Sequence, residues 1–374
     1  MRLHVVALPH TEPVRRFDHC AYTAKVRRFC HMMTGRTRSP ISLYYAGDEA
    51  GVPSGVERVQ LFDTQVQQAL LAITAGYDPG NITSIPWDAS LPIWQVYNKV
   101  VLNALEERLE PDDLVLLIAG RVHQPIIDRY PNQTVEFGVG YSGVAARYRC
   151  FESYAWMHSV YAAHREPMSV DGVATDTVIP NYYDGSEFPA GDGQGGYLLY
   201  ISRMEHRKGW QTAVDVAEHT GLPLKVAGIH NPVFDPLPNT VEHVGIVHGL
   251  DKAALFGDAI ATLVPTQYVE PFGGVAVESM LCGTPVITSD WGAFTETVDN
   301  SVTGYRCRTL TNYIQAVERA PLMDRQVIRT LAHDTFTYPS IAPRYNQWFV
   351  RITGTVTPPA TSEWSSNGCQ YQTA

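Results

Sequence analysis

The chain has 374 residues, of which 45% are hydrophobic and 18% charged, with a formal net charge of −10 at pH 7. That length suits two domains of roughly 150 residues each, and the negative balance argues against a protein that coats nucleic acid, because phosphate backbones are bound by positive surface. No run of about 18 apolar residues offers a membrane span, and the six cysteines (Cys20, Cys30, Cys150, Cys282, Cys307 and Cys369), with neither a C-x-x-C pair nor zinc spacing, fit a reducing, cytosolic setting.

The opening "MRLHVVALPH" reads as a buried first strand and not as a signal peptide, since its apolar stretch is short, broken by His4 and followed by no small-residue cleavage site. Residues 1–40 then carry Arg2, Arg15, Arg16, Lys25, Arg27, Arg28, Arg36 and Arg38 against Glu12 and Asp18, a local balance of +6 that leaves −16 for the remainder. Such a stretch is either a solvated helix face or a local site for an anionic partner. Strand-like runs follow at intervals: "SLYYAG", "DDLVLLIAG", "TVEFGVG", "DTVIPN", "GYLLYIS", "LPLKVAG", "VEHVGIV", "AIATLVP" and "TPVITSD". Between them lie amphipathic stretches such as "GWQTAVDVAEHTG", in which Trp210, Ala213, Val214 and Ala217 share one face and Gly221 ends the helix. This alternation predicts an α/β fold of parallel sheets covered by helices.

Within the first half, Arg121 and His123 fall in a loop after "DDLVLLIAG", and His158 sits in "ESYAWMHSVYAA", whose Trp, Met and Tyr at helical spacing read as core. The sequons at Asn81 and Asn132 carry no weight in a cytosolic protein. The Gly-, Pro- and Asp-rich segment 180–196 is the best linker. We therefore expect an N-terminal domain over 1–180, a second domain over 181–337, a helix over 338–352 and a polar, poorly ordered tail over 353–374.

The chemistry concentrates in the second half, in "EPFGGVAVESMLCG". A helix starting near Gly273 or Gly274 and closing at Gly283 presents unpaired amides, and glycine lets anion oxygens approach them. Glu278, one turn in, and Glu270, on the preceding loop, flank the glycines and can grip both ends of an extended ligand. A second cluster, "YLLYISRMEHRKGW", places Arg203 after a strand and Lys208 just before a helix, an arrangement suited to a diphosphate at the carboxyl ends of a parallel sheet. No D-x-D triplet occurs, so a metal-bridged diphosphate has no obvious ligand pair and no metal site is assigned. No G-x-G-x-x-G follows the first strand, which weakens a dehydrogenase reading.

These residues resemble the motifs of retaining, nucleotide-sugar-dependent glycosyltransferases of the GT-B architecture, family GT4. Glu270 and Glu278 stand in the two positions of its E-x7-E signature. "ISRMEHRKG" is similar to its G-R-x-x-x-x-K-G element, with Ser202 for the usual Gly; "VIPNYYD" is similar to V-I-P-N-G-V-D, with Tyr182 for Gly; and "DWGAFTETV" resembles S-x-x-G-x-x-E-x-V through Gly292 and Glu296. The resemblance implies two Rossmann-like domains whose parallel sheets face each other across a cleft, with the last helix ("YNQWF") crossing back to the first domain.

It further implies that Arg203, Lys208 and the Gly273 and Gly274 amides hold the donor diphosphate, with Phe272 and Val275 beside them. Glu278 would then bind ribose and Glu270 the donor sugar. From the first half, His123 is the candidate sugar contact, and His10, Thr11 and Lys25 are candidate acceptor contacts. The glycine-rich loop that the family carries after its first strand is missing. The function implied is metal-independent transfer from a UDP- or GDP-sugar to a hydroxyl of a glycan or lipid, by a cytoplasmic protein for which peripheral attachment to an anionic membrane is one option. Alternatives are a modified nucleic-acid base as acceptor, a phosphorylase, an epimerase, or a sensor without catalysis.

Overall fold

The structure, a computed structural model, describes residues 1–78, 85–164 and 172–354; Asn81, Cys369 and the tail from 355 onward lie outside them. Two parallel sheets form. The first comprises β1 (Leu3–Val6), β2 (Ile41–Ala46), β3 (Val56–Phe62), β4 (Leu114–Leu117), β5 (Thr134–Val139), β6 (Tyr148–Phe151) and β7 (Thr177–Val178), in the order β3-β2-β1-β4-β5-β6-β7. The second comprises β8 (Leu198–Ile201), β9 (Leu224–Ala227), β10 (Val241–Gly245), β11 (Ala261–Val264), β12 (Val286–Ser289) and β13 (Gly304–Cys307), in the order β10-β9-β8-β11-β12-β13. Both are Rossmann-like, with the strand order reversing beside the first strand of each domain, where α/β folds place ligands at the carboxyl ends.

Three strands escape a reading of apolar runs. β3 and β13 are sheet edges, and the β3 sequence "VERVQLF" exposes two of its first three side chains. In β6, "YRCF", the charge of Arg149 is matched by Asp176 at 2.7 Å. The helix Trp210–Thr220 buries Trp210, Ala213, Val214 and Ala217 and ends at Gly221 in the left-handed region (φ 68°).

The cores divide between adjacent tyrosines. Tyr182 packs into the first domain's core, and Tyr183 into the second's. The helix Tyr338–Thr353 returns Tyr338, Ile341, Tyr345, Trp348 and Phe349 to the first core, where Phe29 and Tyr345 meet edge to face at 5.3 Å. Among the described residues no helix is long and apolar enough to cross a membrane.

Most of the basic N-terminal stretch is engaged within the chain. Arg2 pairs with Glu57, Arg16 with Glu12 and Glu49, Arg27 with Asp18, and Arg36 lies over Tyr338. Of the two readings of this stretch, neither holds throughout: several of its charges are matched within the chain, by Glu12 and Asp18 nearby and by Glu49, Glu57 and Glu187 further along, while Arg15, Lys25 and Arg28 line the cleft.

Polar contacts join the two domains across the cleft. The Tyr154 and Ala155 amides, at the start of helix Tyr154–His164, donate to the Glu296 carboxylate at 2.8 and 2.7 Å. Ser153 Oγ donates to the Pro271 carbonyl at 2.7 Å, and Arg15 pairs with Glu187 at 2.7 Å. A carboxylate at a helix start satisfies orphan amides and complements the helix dipole. Removing it in Glu296→Ala is expected to loosen the domain pair and raise the radius of gyration measured by small-angle scattering, while each domain stays folded. An unchanged scattering profile would mean that the Glu296 contact does not hold the domains together.

Candidate functional site

The site begins with backbone geometry. Gly273 caps the helix Gly274–Leu281 at φ 80°, ψ 51°, a left-handed conformation that a β-carbon disfavours, and a Cβ there would lie 2.4 Å from Phe294 Cε1. The Ala276 amide bonds the Gly273 carbonyl at 3.0 Å, so the amides of Gly273 to Val275 lie ahead of the helical ladder. The loop bearing Glu270 is braced by the next motif. Gly292 (φ 61°) passes so close that a Cβ would lie 2.7 Å from the Glu270 nitrogen, the Ala293 amide donates to the Glu270 carbonyl at 3.0 Å, and Trp291 Nε1 donates to the Tyr268 carbonyl at 3.1 Å.

This helix start opens onto a cavity of about 880 Å³ between the domains. From the second domain its wall includes Lys208, Lys252, Glu270, Phe272, Gly273, Gly274, Val275 and Glu278. From the first it includes Arg15, Tyr22, Lys25, Arg28 and Glu152. Lys208 Nζ donates to Glu270 Oε2 at 3.0 Å and to the Tyr268 hydroxyl. Glu278 is paired with Lys252 and lies 3.9 Å from Arg28 Nη2. Lys25 meets Glu152 and the Gly138 carbonyl. The wall thus carries alternating charges around an anion-ready helix start, a surface able to take a ligand with hydroxyls at both ends and a polyanionic centre.

The structure brings together Lys208, Glu270, Phe272, Gly273, Gly274, Val275, Glu278 and Lys25, and leaves four candidates off the cavity wall. Arg203 is largely exposed and pairs with Glu205 at 3.1 Å. His10, Thr11 and His123 are buried in the first domain. Thr11 bonds Thr23, His10 stacks edge-on against Trp87 at 6.0 Å, and His123 Nδ1 bonds Asn98 Oδ1 at 2.8 Å with its ring edge-on to Trp94. None of these four side chains lines this cavity: Arg203 lies exposed at its own ion pair, and the other three are buried within the first domain.

Sequence reasoning missed Arg28, Lys252, Tyr183 and Tyr268 as wall or support residues. Arg28 was visible only as one charge in a basic run, and nothing in "HGLDKAALFGD" marks Lys252.

Residues 189–320 match the family model of glycosyl transferases group 1. A glycogen synthase of Mycobacterium tuberculosis (strain H37Rv) is 32% identical over 153 residues, covering 36% of this chain and 37% of that enzyme, so the alignment spans little more than a third of the curated relative. Among solved structures, sucrose-phosphate synthase of Thermosynechococcus elongatus superposes with a TM-score of 0.67 at 17% identity, covering 95% of this chain and all of the other. HepE of Anabaena, solved with UDP and glucose, superposes with a TM-score of 0.58 at 14% identity, covering 93% and 98%. The fold is GT-B. The segment that matches the group 1 model lies in the second Rossmann-like domain and includes the helix start.

Burial holds the two first-domain histidines neutral in this GT-B fold. It pushes His123 from its ordinary 6.5 down to about 4, and His10 down to about 3. A histidine with a depressed folded-state pKa contributes stability that is present above pH 6.5 and lost as pH falls towards 4. His123→Gln, which keeps a donor for Asn98, is expected to lose less melting temperature than the wild type between pH 7 and pH 4.5. Parallel losses would show that His123 titrates freely.

Proposed function

We propose that the chain is a retaining glycosyltransferase that moves a sugar from a nucleoside diphosphate sugar, such as a UDP- or GDP-sugar, to a hydroxyl of a glycan or lipid. One observation carries the reading. The glycine-cleared start of helix Gly274–Leu281 faces a cavity of about 880 Å³, with Glu270 and Lys208 on one side and Glu278 on the other. Likeness to glycogen synthase, sucrose-phosphate synthase and UDP-bound HepE supports it.

In this reading the Gly273 and Gly274 amides and Lys208 take the diphosphate, Glu270 the donor sugar and Glu278 the ribose. Lys208 is released from Glu270 when phosphate oxygens replace the carboxylate as its partner. The bond from C1 of the sugar to the β-phosphate oxygen breaks, a bond from the acceptor oxygen to C1 forms on the same face, and the acceptor proton passes to the departing phosphate. Preorganised donors aimed at the developing phosphate charge supply most of the stabilisation. The reading assigns that charge to protein groups without a metal ion.

A thermal-shift series with UDP, GDP, ADP and TDP, with and without EDTA, tests the donor site. One diphosphate is expected to stabilise the protein selectively and independently of chelator. With the corresponding donor sugar, Lys208→Ala and Glu270→Ala are each expected to lower turnover on the order of 10²–10³-fold. Stabilisation by none of the four would remove the donor assignment, and near-normal turnover in either variant would remove that residue from the mechanism.

A further inference from the structure

The first domain has no glycine loop after β1 to meet a nucleotide; "LPHTEPVRRFDHC" occupies that place. What it presents to the cleft includes one face of the following helix, Ala21–Met33, from which Arg28 reaches the second domain. The guanidinium lies 4.7 Å above the Tyr183 ring. Tyr183 is itself placed by the helix start, since a Cβ on Gly274 would stand 2.8 Å from its hydroxyl. Arg28 is therefore held next to the Gly273–Gly274 amides by a chain of packed groups, and not by a strong ion pair.

Its present partners leave it under-satisfied. The approach to Glu278 is 3.9 Å, a distance too long for a hydrogen bond, and Glu278 is already paired with Lys252. Arg28 Nε is buried without a hydrogen-bond partner. A guanidinium carries five N–H groups in a planar fork matched to phosphate oxygens, and a buried donor left unmet is costly. By contrast, Arg203 already pairs with Glu205 and stays largely exposed.

We propose that Arg28 is the first domain's binding residue for the nucleoside diphosphate, grasping its phosphate oxygens across the cleft at the start of helix Gly274–Leu281. The assignment rests on the donor reading above and extends it. The diphosphate is gripped from both domains. Tyr183 supports the guanidinium from below.

Titration calorimetry separates the parts. UDP, GDP and ADP, and the nucleosides uridine, guanosine and adenosine, are titrated into wild type, Arg28→Gln and Arg28→Lys. For the diphosphate that the wild type binds, Arg28→Gln is expected to weaken affinity at least tenfold while changing the matching nucleoside less than twofold, and Arg28→Lys is expected to recover part of the loss. Melting temperature checks that each variant is folded; should Arg28→Gln fail to fold, Arg28→Lys carries the test through the same ratio of diphosphate to nucleoside affinity. Unchanged diphosphate affinity, or equal losses for diphosphate and nucleoside, would overturn the role of Arg28 and leave the donor site standing. Failure of the wild type to bind any of the three diphosphates, or TDP, would remove the donor reading and this assignment with it.

Discussion

Amides at the start of a helix point outward with no partner inside it, and the site is organised around keeping one such start open. At Gly273 the backbone enters helix Gly274–Leu281 through a left-handed turn pressed against Phe294. At Gly274 the Tyr183 hydroxyl fills the space that a side chain would need. Either contact excludes a β-carbon, so the amides remain accessible to an anion. Placement then follows from topology: the turn after β11 lies beside β8, where the sheet order reverses. Glu270 is carried by the same turn and fixed from behind by the Gly292–Ala293 backbone.

Charge in the cleft is arranged in pairs. Lys208 with Glu270 and Lys252 with Glu278 are matched, largely buried charges on the cavity wall. Truncating one partner of such a pair leaves the other unmatched. Contacts between the domains share this economy of partners, with Glu296 of one domain completing the first turn of helix Tyr154–His164 in the other.

Much of this was legible in the sequence because it is local. Ten of the thirteen strands among the described residues coincide with apolar runs, and the Gly273–Gly274 pair with its flanking acids marks the helix start. Lys208 is placed by the turn that precedes helix Trp210–Thr220. What stayed hidden is non-local. Arg28 and Lys252 become wall residues only when two domains pack together, and the basic run looked like a surface because its carboxylate partners, Glu49, Glu57 and Glu187, lie elsewhere in the chain. His10 and His123 follow strand ends, as functional histidines often do, yet both are buried, edge-on to Trp87 and Trp94. Sequence position shows that a residue lies near a sheet's carboxyl edge; it does not show whether its side chain will be exposed.

The most direct measurement is a crystal structure of the full chain grown with the nucleoside diphosphate that stabilises it. The account predicts phosphate oxygens on the Gly273 and Gly274 amides, Lys208 turned from Glu270 towards them, and ribose hydroxyls on Glu278. A nucleotide bound away from this helix start, or one whose diphosphate points into solvent with the Lys208–Glu270 pair intact, would contradict it.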